Sequence, residues 1–301
     1  MLGTRAPQCI KAAVDIDPEK LGKSMSELTG VPAINATVSD NLIDAIDTHK
    51  PTLAIVATSS YAKTLRQQIE PMLQRGVNVL STCEELSYPW PLHAEHADAI
   101  DALAKQHQVT VLASGVNPGY LMDFLPTVAT GLCESVSSIR VERIQDASHR
   151  RIPFQKKIGV GLNPIEYQEL VASGQLRHMG LKESAYLIAA KLGWQVDSVT
   201  ETIEPVVQDG QVMGTRQISI ASNDNTPLIE LIFHAQMHAT EPKDVITVVG
   251  SPGFSLRFDP PVQGDKATAS IIVNAIPGVL NASPGLKTMA DMNGLSFWSK
   301  L

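Results

Sequence analysis

"NVLSTCEEL", residues 78–86, is a run of apolar and small residues that stops in two carboxylates. Two other stretches repeat the pattern, "LAIVATSS" (53–60) and "VTVLASGVNPG" (109–119). Apolar runs without alternation fit strands buried on both faces of a parallel sheet. Between them lie helical stretches. "SYAKTLRQQIEPMLQRG" (60–76) closes on Gly76, and "PLHAEHADAIDALAKQHQ" (91–108) opens with Pro91. This β-α alternation predicts a doubly wound α/β domain, and such sheets bind ligands at the carboxyl ends of their strands.

Upstream, "KAAVDIDPEK" (11–20) reads as the end of a strand followed by a helix start, with Pro18 in the first turn and Asp17 as N-cap. A strand ending in an acid, here Asp15, suits the grip on an adenosine ribose in a dinucleotide-binding fold. The carboxylate repels a 2′-phosphate and so favours NAD over NADP, while Lys20 and Lys23 soften that preference. In that fold this strand is the second, and the glycine-rich turn stands about 20 residues before the acid. Gly3 is the only glycine ahead of Asp15, and no strand precedes it. The expectation is a sheet without its first strand. Either the N-terminus is incomplete or the chain has lost its pyrophosphate cradle.

After about residue 122 the pattern changes. "SSIRVERIQDA" (137–147) reads as a long strand, followed by helices in "PIEYQELVASG" and "KESAYLIAAKLG". Strand candidates then follow at 195–207, 211–221, 227–239, 243–249 and 253–258, which predicts an α+β domain on a mostly antiparallel sheet. "GDKATASIIVNAIPGVL" (264–280) is helical again. The expected division is a nucleotide-binding domain over 1–122, joined by the returning segment 264–301, and a second domain over 123–263.

The 301 residues carry a net charge of −7, and no basic cluster suggests a nucleic-acid partner. The one short basic stretch, "RRIPFQKK" (150–157), is either a solvated loop or an anion site. Cys9, Cys83 and Cys133 lie far apart and read as reduced thiols of a cytoplasmic protein. No apolar run has membrane-spanning length, and the first residues lack the apolar core of a signal peptide.

The chemistry is expected at the strand ends. Thr58, Ser59 and Ser60 can approach a cofactor ribose or phosphate, and a helix N-cap by Ser60 is the alternative. A carboxylate in a partly apolar cleft has a raised pKa and can act as general acid or base. Glu84 is preferred to Glu85 for this role, because it follows the strand most closely beside Leu80, Cys83 and Leu86. Asn117 supplies an amide donor and acceptor where Pro118 is expected to open a helix, so it is a candidate for cofactor binding and catalysis. The histidine spacings indicate no metal site: His234 and His238 are too far apart along a strand, and His93 with His96 lacks a third ligand.

Five segments together, "AAVDIDPEKLGKSMSELTG", "NVLSTCEELSYPW", "SGVNPGYLMDFLP", "VERIQDASHRRIPFQKKIGVGL" and "NAIPGVLNASPGLKTMADM", resemble the 2,4-diaminopentanoate dehydrogenase family. That group includes native amine dehydrogenases and proteins labelled dihydrodipicolinate-reductase-like. The resemblance runs in order from Ile10 to Met292. It implies a Rossmann-like NAD(P)-binding domain, an α+β catalytic and dimerisation domain in a homodimer, and oxidation of a small amine to a ketone with release of ammonia. The family's carboxylate falls on Glu84 or Glu85, and its ribose-binding acid on Asp15. Arg150, Arg151, Lys156 and Lys157 are then candidates to hold a substrate carboxylate. The His-His pair and Ser-Gly-Thr stretch of true dihydrodipicolinate reductases are absent from "DASHRRIPFQKK" (146–157). Two other readings stay open. One is a relative that has lost catalysis, and the other is a reductase acting on a different small substrate.

Overall fold

The computed structural model describes residues 1–298. In chain order, the elements begin with α1 (Leu2–Arg5), β1 (Ala13–Val14), α2 (Met25–Thr29), β2 (Val38–Ser39) and α3 (Leu42–His49). Then come β3 (Leu53–Val56), α4 (Ala62–Leu73), β4 (Asn78–Ser81), α5 (Trp90–Gln106) and β5 (Thr110–Ala113). The next run is α6 (Phe124–Ala129), β6 (Ser135–Asp146), α7 (Ile152–Lys157), α8 (Pro164–Ala172) and α9 (Leu181–Leu192). The antiparallel stretch holds β7 (Ser198–Gln208), β8 (Gln211–Asn223), β9 (Thr226–Gln236), β10 (Lys243–Ser251) and β11 (Phe254–Phe258). The chain ends with α10 (Gly264–Asn281) and β12 (Gly285–Lys287).

By contacts the chain divides into two units. The first holds Met1–Leu86, His93–Ser114 and the chain from Thr268 onward; the second holds Ser87–Leu92 and Gly115–Ala267. The cuts at 114/115 and 267/268 lie eight and four residues from the expected 122/123 and 263/264. The excursion of residues 87–92 into the second unit had no signal in the sequence.

The first unit contains two parallel sheets. One has the order β12-β5-β4-β3 and the other is the pair β1-β2. In the order 3-2-1-4-5-6, β1 and β2 take the places of strands 2 and 3, while β3 to β5 take those of strands 4 to 6. No described strand pairs with both β1 and β3, so the expected single sheet is in two pieces. One expectation changes as a result. β4 and β5 are buried almost throughout, but in β3 only Val56 is, and Ile55 is 42% exposed. β3 is the terminal strand of its sheet, so the apolar run 53–56 has a neighbour on one side only.

Two further expectations are corrected. Pro18 does not open a helix: residues 18–22 form a turn, with Gly22 at φ +76 donating its N–H to Val38. The helix begins at Met25, capped by Ser24. Pro118 does not open a helix either. Residues 117–123 form turns with Gly119 at φ +120, and α6 starts at Phe124, where Asp123 caps it. In both places a left-handed glycine breaks the helical path that the proline would have entered.

The second unit is built on one six-stranded sheet, β11-β10-β6-β9-β8-β7. Only β6 and β9 run parallel; the other pairs are antiparallel, all consecutive in the chain except β6 with β10. Helix α9 packs on β7, β8 and β9. Odd-numbered residues of β6 face the core, where Ile139 and Val141 are joined by the charged Arg143. Asp244 stands directly opposite Arg143 on β10, its Oδ1 3.5 Å from Nη1. The two side chains clamp one peptide: Asp244 accepts from Val262 N–H at 2.7 Å, and Arg143 Nη2 donates to Val262 C=O at 2.9 Å. Burial pushes the Asp244 carboxyl up and the Arg143 guanidinium down, each against the pull of its partner. Removing one partner of such a pair leaves a charge in the core. Asp244→Ala is therefore expected to cost about 3–5 kcal/mol in denaturant unfolding, a loss of less than about 1 kcal/mol contradicting the clamp.

Candidate active site

β3, β4 and β5 end in register, with Val56 beside Ser81 and Ser81 beside Ala113. The loops after them therefore leave the sheet at one level. Ser81 stitches the edge: its Oγ donates to Val56 C=O at 2.9 Å and accepts from Cys83 N–H at 3.1 Å. Thr82 N–H donates to Val56 C=O, and Ser114 N–H to Ser81 C=O. Burial pushes the Cys83 thiol up to about 12, so it is an apolar packing group rather than a nucleophile.

Glu84–Leu86 form a single 3-10 turn at this edge. Glu85 is 9% exposed. Its Oε2 accepts from Ala62 N–H at 2.7 Å, the first residue of α4, and lies 3.7 Å from His93 Nε2. Its own N–H donates to Ser60 C=O at 3.2 Å. Glu85 thus caps the helix that precedes it, its side chain at the positive end of the helix dipole. Ser60 is not the N-cap: Tyr61 holds that place without a side-chain bond. Ser59 Oγ accepts from Tyr61 N–H, and the Thr58 hydroxyl donates to Gln68. Glu84 is half-buried in the same turn.

Asp15 lies at the end of β1. Its Oδ1 accepts from Asp17 N–H at 3.0 Å, and its Oδ2 pairs with Lys20 Nζ at 2.7 Å. Lys20 also reaches Asp17 at 3.3 Å. The bond to Lys20 holds the Asp15 carboxyl below the usual range. At the far side of the edge Ser114 is buried, and its Oγ has no hydrogen-bond partner.

In the second unit Asn117 is 9% exposed, and neither Oδ1 nor Nδ2 has a partner. Buried polar groups are nearly always bonded, so an amide left open in this way has the character of a ligand contact. Arg150 is already engaged: its guanidinium makes two bonds to the Asp265 carboxylate, at 3.0 and 3.1 Å, and stacks 3.9 Å over Phe154. Arg151 is 71% exposed and 3.6 Å from the same carboxylate. Lys156 and Lys157 are exposed at the end of α7, a short helix where a loop was one reading of the sequence.

Several groups had no sequence signal. His178 stacks on Phe233 at 4.0 Å between ring centres, its Nδ1 sealed and unpartnered. Burial, helped by Lys157, Arg143 and Arg150, pushes its imidazole down to about 3, so it is neutral at pH 7. Gln217 brackets its backbone, accepting from His178 N–H at 2.8 Å and donating to His178 C=O at 2.9 Å. Only pairing across the sheet reveals that Gln217, Phe233, Arg143 and Asp244 form one transverse row.

A nicotinamide dinucleotide can be tested against these groups. Within the first unit, the acid after β1 fits a ribose and the open hydroxyl of Ser114 fits a ligand polar atom. Among the described residues no glycine-rich strand-to-helix turn is present for a pyrophosphate.

The family described as 2,4-diaminopentanoate dehydrogenase C-terminal domain matches residues 120–297. The chain is 31% identical over 267 residues to 2,4-diaminopentanoate dehydrogenase of Acetoanaerobium sticklandii, a match that spans 83% of this chain and 76% of that protein. In fold it is similar to an amine dehydrogenase from Mycobacterium smegmatis, with TM-score 0.87 and 22% identity over 96% of this chain and 90% of that one. A more distant fold neighbour is GenD2 of gentamicin A biosynthesis in complex with NAD, with TM-score 0.56 and 17% identity over 97% of this chain and 87% of that one. On the family match and the identity to the Acetoanaerobium enzyme, the chain belongs to the 2,4-diaminopentanoate dehydrogenase family of oxidoreductases.

Proposed function

We propose that this protein oxidises the CH–NH2 group of a small diamino acid of the 2,4-diaminopentanoate type, with NAD(P) as acceptor, to a ketone and ammonium. The observation that carries the reading is the pair of carboxylates at the end of β4. Glu85 is spent on the N-terminus of α4, and Glu84 is assigned to chemistry in the same turn. A bound nicotinamide supplies the hydride acceptor. Glu84 takes a proton from the substrate ammonium, which frees the nitrogen lone pair, and passes that proton to solvent, so that it is again a carboxylate. Loss of hydride from the same carbon leaves an iminium, whose charge the Glu84 carboxylate stabilises. Glu84 then takes a proton from the water that adds to the iminium carbon, and ammonium departs as the C=O forms. Per turnover, one substrate ammonium, one water and one oxidised cofactor give ketone, ammonium, reduced cofactor and a proton.

Asn117 is assigned to orienting cofactor or substrate through its open amide. Thr58, Ser59 and Ser60 are assigned to the cofactor side, as is Asp15. Arg150 is set aside as a substrate ligand because Asp265 holds it, while Arg151 and Lys156 stay assigned to an anionic substrate group. The family resemblance supports a homodimer, which light scattering would check. The free cysteines support a cytoplasmic location. No described helix is long and apolar enough to cross a membrane.

Glu84→Gln keeps shape and removes the base. Turnover of 2,4-diaminopentanoate is expected to fall about 10²–10⁴-fold with nucleotide affinity retained. Near-normal turnover would remove Glu84 from the mechanism. Glu85→Ala should instead lower unfolding free energy by about 1–2 kcal/mol through the lost cap.

NAD is expected to be used in preference to NADP, with Lys20 limiting the margin. Asp15→Ser should narrow the ratio of kcat/KM values for the two cofactors. Lys20→Ala should widen it by removing the cation nearest a 2′-phosphate. Unchanged ratios in both variants would show that this turn does not meet the ribose.

A further inference from the structure

Asp123 is a carboxylate that the proposed chemistry does not use, and it is wholly buried. Its Oδ1 accepts from Phe124 N–H at 2.6 Å, which caps α6. Its Oδ2 accepts from Gly119 N–H at 2.7 Å and from the Ser184 hydroxyl on α9, also at 2.7 Å. Burial pushes this carboxyl up even with three donors on it. A cap for the six-residue α6 needs only the first of these bonds, and a surface residue could make it without desolvating a carboxyl. The other two bonds act elsewhere. They tie the turn 117–119 to α9.

The same turn touches α9 at a second point. Gly180 is the N-cap of that helix, at φ +101, and a Cβ there would lie 2.3 Å from Pro118 Cγ. Pro118 and Gly119 follow Asn117 directly, so the residue carrying the open amide is braced on its C-terminal side. Leu121 N–H closes the turn onto Val116 C=O at 2.9 Å. Helix α9 in turn packs on the six-stranded sheet. An amide whose two polar atoms are sealed and unpartnered costs free energy, and a mobile loop would turn it to find partners. This turn is held so that it cannot.

We propose that Asp123 and Ser184 are a positioning pair that fixes the Asn117 amide in the orientation its ligand requires. The inference rests on the reading of Asn117 as a ligand-binding group. Neither residue of the pair touches the reacting atoms. Each acts through the backbone at Gly119 and through the distance between that turn and α9.

Ser184→Ala is the informative variant, because Asp123 keeps both backbone donors. It is measured with Ser184→Thr, Asp123→Asn and Asn117→Ala beside the parent. The readouts are kcat and KM for 2,4-diaminopentanoate with NAD, the melting temperature, and the side-chain amide 1H–15N signals of Asn117. Ser184→Ala is expected to lower kcat about tenfold, the scale of a small misplacement. KM and melting temperature should stay near the parent values, and the Asn117 signals should shift or broaden. Ser184→Thr should restore both kcat and the signals, and Asp123→Asn should reproduce the loss. Parent-like kcat and signals in Ser184→Ala, with activity lost in Asn117→Ala, would overturn the positioning role alone. A fall in kcat with unmoved Asn117 signals, or moved signals with parent kcat, would overturn it too. Parent-like turnover in Asn117→Ala would remove the reading of Asn117 and this inference with it. With an inactive parent protein, the Asn117 signals alone decide whether the pair holds the amide.

Discussion

The bond from Ala62 N–H to the Glu85 carboxylate organises the carboxyl edge of the parallel sheet in the first unit. It joins the start of α4 to the turn after β4, and Glu85 N–H returns a bond to Ser60 at the end of the β3 loop. Two strand ends and one helix N-terminus thereby become a single rigid edge. A helix N-terminus has unpaired N–H groups and a positive dipole end, so a carboxylate there is stabilised as an anion. Because Glu85 fills that place, Glu84 is fixed one residue earlier on the same short turn.

The same economy recurs with other charges. Arg150 grips Asp265 and stacks on Phe154, which ties the loop after β6 to the first turn of α10. Lys20 closes the turn around Asp15 and Asp17. Arg143 and Asp244 clamp Val262 from either side. In each case a charge that looks free in the sequence is paired, since a buried or half-buried ion needs an opposite charge or several hydrogen bonds. What stands out against this background is the unpartnered polar atom. Ser114 Oγ and the Asn117 amide are buried without hydrogen bonds, as are His96 Nδ1, His178 Nδ1 and Ser219 Oγ.

The β-α alternation, the antiparallel second half and most element positions were legible in the sequence, because strand and helix periodicity is written within about ten residues of chain. The acid after β1 and the carboxylates after β4 were legible for the same reason: a buried apolar run that ends in a charge marks a strand end. That no glycine-rich turn stands ahead of Asp15 among the described residues was legible from a count of glycines. The helix starts at Pro18 and Pro118 were misread, because a proline signals a first turn while the glycines behind it, Gly22 and Gly119, adopt backbone angles that no helix continues. The exposure of β3 was misread because a hydrophobic run records what a strand can bury and not which neighbours it has.

The sequence by itself determined which segments are strands and helices, and which residue types stand at the carboxyl edge of the parallel sheet. Tertiary structure decided the partners. Glu85 meets Ala62 across 23 residues, Asp123 meets Ser184 across 61, and Arg150 meets Asp265 across 115. His178 rests on Phe233, and burial, helped by Lys157, Arg143 and Arg150, keeps its imidazole neutral. Local preference follows from steric limits on neighbouring dihedrals, so a short window of sequence contains it. The role of a charge depends on what the fold carries within about 4 Å of it, where Coulomb and hydrogen-bond energies are large, and that distance has no counterpart in the linear order of residues.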